Sequence, residues 1–182
     1  PRKLKFTLEG DNSSAPGTES TEMICCGEME IFIEPLNTAE ALHIFGAGHV
    51  AQPTAELAAK CGFRVNVYDS RPELASGERF PDAYIRLGDL GELSAALPSD
   101  PEGYAVIVTH SHKTDYLVLR NLLEKNLHYL GVISSSKKWE QMQGKLTEEG
   151  FQPERLERVH APIGLNIGSH TPDEIAVSIV AE

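Results

Sequence analysis

Cysteine and positive charge are scarce in this chain of 182 residues, and long apolar runs are missing. Its three cysteines, two of them adjacent, do not form a disulfide framework, which favours a reducing, cytoplasmic setting. Sixteen Lys and Arg against 27 Asp and Glu give a formal net charge of −11, which argues against a nucleic-acid surface. No run approaches the roughly 20 apolar residues of a membrane span, and none resembles a secretion signal. We therefore expect neither nucleic acid nor membrane as a partner.

Regular alternation of two hydrophobic patterns fills the chain from residue 42 onward. Strand-like runs occur at 42–45, 63–68, 82–86, 104–109 and 128–133, and helical patterns at about 49–61, 89–97, 114–125 and 136–149. A last helix begins at Thr171, where Thr-Pro-Asp-Glu has the form of a capping box. This order predicts an α/β fold, a Rossmann-like doubly wound parallel sheet with right-handed crossovers.

Residues 1–38 have a different pattern, in which short alternating stretches flank a segment rich in Gly, Ser, Asn and Thr. Alternation of apolar and polar residues is typical of strands, and two strands alone are barely stable. We expect a small N-terminal β appendage over 1–38, the remnant of a missing or truncated domain, beside a Rossmann-like domain over 39–182. Because such strands need something to pair with, a homodimer is also expected.

A glycine-rich turn follows the first strand of the predicted sheet. Residues 46–51 read Gly-Ala-Gly-His-Val-Ala, and Asp69 ends the next apolar run, as in the G-x-G-x-x-G/A fingerprint. The glycines allow the backbone to approach a phosphate, and the helix that follows offers unpaired N–H groups. Asp69 is placed to accept hydrogen bonds from a ribose or a similar diol. The candidate ligand contacts of this part are Gly46, Gly48, His49, Val50 and Asp69.

Three further segments are expected to meet this turn, because ligands of parallel sheets bind beyond the carboxyl ends of the strands. Arg71 offers a second phosphate contact, or else it pairs with a surface acid. Thr109 is followed by His110, His112 and Asp115, a set that suits a metal ion or acid–base chemistry. The alternative is that Thr114 or Asp115 caps the next helix and the histidines are solvated. We expect a polar ligand contact from this segment and no metal site.

Two lysines at the start of the fourth predicted helix oppose its dipole. A bound anion would resolve the conflict, which makes Ser135 and Lys137 candidate ligand contacts; otherwise Lys137 and Lys138 are simply exposed. Cys25 is a candidate for sulfur chemistry, although a buried, inert cysteine is the commoner case. Residues 160–168 form either a loop over the pocket or, slightly favoured, a connection packed on the sheet. The candidate catalytic residues are Cys25, His110, His112 and Asp115.

Taken together, these segments resemble one family, the XdhC/CoxI accessory proteins of molybdenum hydroxylases such as xanthine dehydrogenase. The resemblance runs from about Cys25 to the C-terminus. It rests on Gly46-Ala47-Gly48-His49-Val50-Ala51, Asp69-Ser70-Arg71, Arg79-Phe80-Pro81, Val108-Thr109-His110-Ser111-His112 with Asp115, His160-Ala161-Pro162-Ile163-Gly164-Leu165-Asn166-Ile167-Gly168 and Thr171-Pro172-Asp173-Glu174-Ile175-Ala176.

The resemblance implies a role in maturing the molybdenum cofactor. Proteins of this kind are thought to bind its molybdopterin form, protect it, support replacement of an oxo ligand by sulfur and deliver it to the apoenzyme. The implied partner is a xanthine dehydrogenase-like molybdenum hydroxylase apoenzyme, with a cysteine desulfurase as a further candidate. A cofactor insertion chaperone is therefore favoured over a catalyst.

Departures from the family pattern occur at three places. Cys25-Cys26-Gly27 replaces the usual Cys-Gly-Gly, and Ser134-Ser135-Ser136 replaces Gly-Ser-Arg, which removes a bidentate anion donor. The usual N-terminal domain is not found in the sequence, so we expect the C-terminal part of such a protein or a truncated relative.

Two other functions compete with the chaperone. An NAD-dependent oxidoreductase would use the glycine turn for NAD(P) or another nucleotide, with Asp69 favouring NAD and His110 or His112 as the proton donor. The second alternative is a purely interacting domain with a vestigial pocket.

Overall fold

The computed structural model describes residues 2–7, 19–20, 28–33 and 39–182. It divides the chain into two compact units, 1–38 and 39–182. Cys25 and Cys26, and with them the sulfur chemistry expected at Cys25, lie outside the described residues.

The first unit contains a three-stranded sheet. Its strands are β1 (Arg2–Thr7), β2 (Glu19–Ser20) and β3 (Glu28–Ile33). The middle strand β1 runs parallel to β2 and antiparallel to β3, with Arg2 opposite Ile33 and Thr7 opposite Glu28. The two alternating stretches of the sequence are thus the two longer strands, and they pair with each other.

The second unit is built on a six-stranded sheet, all of whose strand pairs are parallel. Its strands are β4 (Ala41–Phe45), β5 (Arg64–Asp69), β6 (Ala83–Leu87), β7 (Asp100–Ile107), β8 (Leu127–Val132) and β9 (Val159–His160). The helices are α1 (Ala51–Lys60), α2 (Leu90–Ala96), α3 (His112–Leu122), α4 (Ser136–Glu148), α5 (Pro153–Leu156) and α6 (Pro172–Ala181). The order β6-β5-β4-β7-β8-β9 is that of a doubly wound Rossmann fold, as predicted.

The core lies on both faces of this sheet because neighbouring residues of each strand point to opposite sides. Phe45 belongs to a cluster with residues of α3 and α4, whereas its neighbour Ile44 belongs to one with α1 and α6. The buried side chains of α1 are small, namely Ala51, Thr54, Ala55 and Ala58. Small side chains let α1 pack closely on the sheet.

Several boundaries differ from the sequence-based expectations. The third helix begins at His112 rather than at 114, so His112 belongs to its first turn. Three short elements, β2, α5 and β9, were not predicted, since two to four residues are too few to show a hydrophobic period. The capping box at Thr171 is confirmed, with both of its hydrogen bonds present.

The first part of the connection after β9 packs on the sheet, whereas residues 165–168 are exposed. Ile163 is 8% exposed, and its N–H donates to the carbonyl of Val132. A Cβ on Gly164 would overlap Oγ of Ser178 in α6, so only glycine fits at this contact. The packed connection favoured by the sequence is therefore confirmed for its first part, around Ile163 and Gly164.

Candidate functional site

The glycine turn between β4 and α1 lies between the ends of the two neighbouring strands. The N–H of Gly46 donates to the carbonyl of Tyr68 at 2.8 Å, and a Cβ on Gly46 would lie 2.6 Å from the carbonyl oxygen of Val108. With φ at +110°, Gly46 also has a backbone conformation that other residues rarely adopt. This position therefore requires glycine for the turn itself.

Gly48 differs from Gly46 because its Cα faces open space. A Cβ on Gly48 would meet no atom within 4 Å. Among the described residues, no hydrogen bond joins the N–H groups of Gly48, His49 or Val50, which precede α1. Free N–H groups at the N-terminus of a helix are donors for an anion. The turn thus has the form of an open cradle for a phosphate.

Asp69, at the end of β5, is buried behind this turn, with only 2% of its side chain exposed. Its Oδ2 accepts from the N–H of Ala47 at 2.7 Å and from Nη2 of Arg71 at 2.8 Å. Its Oδ1 accepts from the N–H of Arg71 at 3.0 Å and from its Nε at 2.9 Å. Burial raises the pKa of Asp69, but the hydrogen bonds from Arg71 and Ala47 outweigh it and hold the pKa below its usual value.

Four protein donors therefore fill the four acceptor positions of the Asp69 carboxylate. The sequence led us to expect Asp69 to read a ribose diol. In the structure it instead fixes the glycine turn and holds Arg71, whose side chain remains 29% exposed and lines the cleft.

Arg79 supports the same turn from the other side. Its Nη1 donates to the carbonyls of Ala47 at 2.8 Å and Leu74 at 2.7 Å, and its Nη2 donates to Oε1 of Gln52 at 3.1 Å. Apart from the family resemblance, no local pattern indicated this role, because Arg79 and Ala47 are 32 residues apart. Asp69 and Arg79 together fix the peptide groups on both sides of Ala47.

Asp115 connects the loops that follow β7 and β8. Its Oδ1 accepts from the Thr109 hydroxyl at 2.6 Å and from the Thr109 N–H at 3.2 Å. Its Oδ2 accepts from Nζ of Lys138 at 2.7 Å, and both side chains are largely buried. The alternative interpretation, in which Thr114 or Asp115 caps α3, is wrong, because Ser111 is the N-cap residue and makes no side-chain capping bond.

The ion pair of Asp115 with Lys138 also resolves the charge conflict at the start of α4 without a bound anion. Nζ of Lys138 additionally lies 3.3 Å from the carbonyl oxygen of Ile133. Lys138 lines a cavity of about 400 Å³, whereas Lys137 is exposed and does not line it. The N-cap of α4 is Ser135, whose hydroxyl accepts from the N–H of Lys138.

Two adjoining cavities form one cleft at the carboxyl edge of the sheet, since Thr109, His110 and Ile133 line both. The larger, about 690 Å³, contains the glycine turn and has the size of a cofactor pocket. Predicted residues that line it are Gly48, His49, Val50, Arg71, Thr109 and His110. Those that line the smaller cavity are Thr109, His110, His112, Asp115 and Ser135. Gly46 and Asp69 lie behind the wall of the cleft.

The part of the chain that the structure describes contains no group of three or more His, Cys, Asp and Glu arranged to hold a metal ion. His110 and His112 line the smaller cavity and are exposed. The cleft thus offers backbone donors, arginines and imidazoles, which suit an anionic organic ligand.

Among the residues that the structure describes, no helix is long and apolar enough to cross a bilayer.

Fold and cleft define a Rossmann-type α/β domain with an open glycine-turn site. Residues 42–182 match the family described as the XdhC Rossmann domain, and the chain belongs to this family.

Three relatives and one solved structure are similar to this chain. Over 184 residues the chain is 34% identical to an uncharacterized protein, YqeB, of Escherichia coli strain K12, covering all of this chain and 33% of the relative. It is 34% identical to a protein of Bacillus subtilis strain 168 that is named as a probable xanthine dehydrogenase subunit, covering 84% of this chain and 44% of the relative.

Identity to the molybdenum cofactor insertion chaperone PaoD of Escherichia coli strain K12 is 26%, over 78% of this chain and 38% of the relative. A crystal structure of a xanthine dehydrogenase from Bacillus halodurans superposes with a TM-score of 0.71 at 30% identity, over 85% of this chain and 44% of that one. The chain thus spans between a third and a half of the length of these proteins.

Proposed function

We propose that this domain binds the molybdenum cofactor in its cleft and assists its insertion into a xanthine dehydrogenase-type apoenzyme. Two relatives carry names from this process, one of them a molybdenum cofactor insertion chaperone and the other a probable xanthine dehydrogenase subunit. The structural observation that carries the proposal is the open cradle at Gly48, whose unpaired N–H groups suit the phosphate of molybdopterin.

Charge supports the same assignment. The chain carries a formal net charge of −11, so an anionic ligand needs a local concentration of donors. The larger cavity provides one, with the N-terminus of α1, Arg71 and Arg79 in its wall. The cofactor itself supplies the molybdenum–dithiolene chemistry when it is bound. The residues of this domain bind its phosphate and surround the rest of the cofactor.

Binding is a better description of this cleft than catalysis. Asp115, the buried acid beside the histidines, is committed to Thr109 and Lys138, so it is no free general base. His110 and His112 are ligand contacts in our proposal rather than proton-transfer groups. His112 would line the smaller cavity, away from the phosphate, whereas His110 lies where the two cavities meet.

Sulfuration is a finer part of the proposal. Replacement of an oxo ligand by sulfur would draw on a cysteine desulfurase as the donor, with Cys25 as the candidate acceptor thiol in this chain. The argument for Cys25 comes from the family pattern alone. A cytoplasmic location completes the proposal and rests on the sequence, whereas the argument for a homodimer loses its basis because β1 and β3 pair with each other.

Transfer to an apoenzyme tests the proposal. The purified chain is loaded anaerobically with molybdopterin and mixed with a cofactor-free xanthine dehydrogenase, and the recovery of enzyme activity is measured. Wild type is expected to speed recovery, and Gly48→Val is expected to fail because its side chain would fill the cradle. Gly144→Val is the matched control, since Gly144 lies exposed in α4 with no atom near its Cβ position. Failure of wild type to bind molybdopterin or to raise the activity would refute the proposal.

An NAD-dependent oxidoreductase is the second candidate. The glycine turn on a sheet of this strand order favours it. The saturated carboxylate of Asp69 argues against it, because that group would read the ribose. Calorimetry with NAD, NADH and NADP distinguishes the two functions; no heat from any of them would exclude the oxidoreductase.

A further inference from the structure

The pairing of Asp69 with Arg71 bears on which ligands this cleft accepts. In a dinucleotide site, the acid at the end of the second strand accepts hydrogen bonds from ribose hydroxyls. Asp69 occupies that position at the end of β5, yet it is 2% exposed and four donors fill its oxygens. A ribose diol would have to displace Arg71 before it reached the carboxylate.

Arg71 meets Asp69 with one side of its guanidinium. Its Nε faces Oδ1 and its Nη2 faces Oδ2, which is a bidentate arrangement. Within the described residues, no hydrogen bond joins Nη1 of Arg71, whose two N–H groups remain available. Because Arg71 lines the larger cavity beside Gly48 and His49, these donors are available to a ligand in the cradle.

Arg79 cannot replace Arg71 in this role. Its Nη1 already donates to two carbonyls, those of Ala47 and Leu74, and its Nη2 donates to Gln52. Arg79 thus stabilises the turn, whereas Arg71 has N–H donors that remain available to a ligand.

From this geometry we infer that Arg71, held by Asp69, contacts the phosphate of a ligand in the cradle, and that the site binds a phosphorylated ligand without reading a ribose diol. The inference rests on the proposed function and deepens it, since it assigns a ligand class to the same cleft. A phosphate binds with the Asp69–Arg71 pair intact. Arg71 is accordingly a specificity-determining residue, and Asp69 is a positioning residue that acts through it.

A pair of ligands that differ only in the diol tests this inference without any mutation. Calorimetry compares adenosine 5′-monophosphate with its 2′,3′-dideoxy analogue on the wild-type chain. The two dissociation constants are expected to agree within about twofold, because no protein group reads the hydroxyls. If Asp69 did read them, removing both hydroxyls would weaken binding by about tenfold or more.

Substitution of Arg71 provides the second arm of the test. In Arg71→Ala, monophosphate binding should weaken by about tenfold, because charge-assisted donors are lost. The freed Asp69 should then make adenosine 5′-monophosphate bind better than its dideoxy analogue. The dissociation constant of the analogue, divided by that of the monophosphate, should rise from about one to about ten. Arg64→Ala is the matched control, since Arg64 is exposed at the opposite end of β5; it should change neither constant.

Three results would overturn the inference: a tenfold preference of wild type for the diol, no binding of either monophosphate, or an Arg71→Ala variant with unchanged constants. The wild-type comparison remains decisive even if Arg71→Ala does not fold. Failure of the proposed function is a separate result. A chain that binds both monophosphates equally but does not bind molybdopterin would support the inferred ligand class and refute the proposed chaperone function.

Discussion

Gly46 and Gly48, two residues apart in one turn, should respond in opposite ways to the same substitution. Alanine at Gly46 would place its Cβ 2.6 Å from the carbonyl oxygen of Val108 and 2.9 Å from its carbonyl carbon. Both atoms are backbone, so they cannot rotate away as a side chain would. Alanine at Gly48 meets no atom within 4 Å, and its φ is outside the left-handed range.

The magnitudes follow from these two geometries. For Gly46→Ala, a φ of +110° costs about 1–3 kcal/mol and the overlap with Val108 about as much again, which gives a loss of about 2–6 kcal/mol in the free energy of unfolding. In a chain of this size, that loss lowers the melting temperature by about 5–20 °C. Gly48→Ala should be neutral or stabilising by about 0.4–1 kcal/mol, because alanine restricts the unfolded chain.

Urea unfolding followed by tryptophan fluorescence measures this contrast. The single tryptophan, Trp139, packs partly buried against the core of the second unit, so it reports on the relevant unfolding. Ligand binding should nevertheless weaken in Gly48→Ala although the protein stays stable, because its Cβ occupies the phosphate cradle. Equal stability of Gly46→Ala and wild type, or a loss in Gly48→Ala as large as that in Gly46→Ala, would refute this description of the turn.

Three further predictions concern stability. Asp115→Ala should cost about 3–5 kcal/mol in urea unfolding, because it leaves Lys138 buried without its counter-ion; adding Lys138→Met should recover part of this loss, and no recovery would contradict the pairing. The pKa of Asp69 is lowered by folding, so its stabilisation is present above about pH 4 and lost as the pH falls through the folded-state pKa. The stability gap between wild type and Asp69→Asn should thus narrow in acid; a gap independent of pH would contradict this. Thr171→Ala should cost about 1 kcal/mol through the lost capping box, and an unchanged melting temperature would count against that cap.

Local sequence patterns were sufficient to predict five of the six strands of the parallel sheet and the glycine turn. The apolar runs and the fingerprint at residues 46–51 are short-range signals, and they indicated the doubly wound sheet because parallel crossovers have few arrangements. The capping box at Thr171 is equally local, since both partners lie within one turn.

Polar contacts between distant segments were beyond the reach of the sequence. Asp115 and Lys138 are 23 residues apart, and Arg79 contacts a carbonyl 32 residues away. No periodicity connects such residues, and their side chains meet only after the strands have paired. Asp69 shows the same limit, because its position at the end of β5 was predicted correctly but its saturation by Arg71 and Ala47 depends on side-chain geometry.

Identification of the bound ligand is the most direct test of the central claim that this cleft holds the molybdenum cofactor. The chain is purified anaerobically, and its extract is analysed by mass spectrometry for pterin, nucleotide and metal per mole of protein. We expect a phosphate-bearing pterin in wild type and in Gly144→Val, and its loss in Gly48→Val. A bound nicotinamide nucleotide in place of a pterin, or equal pterin content in all three proteins, would contradict the claim.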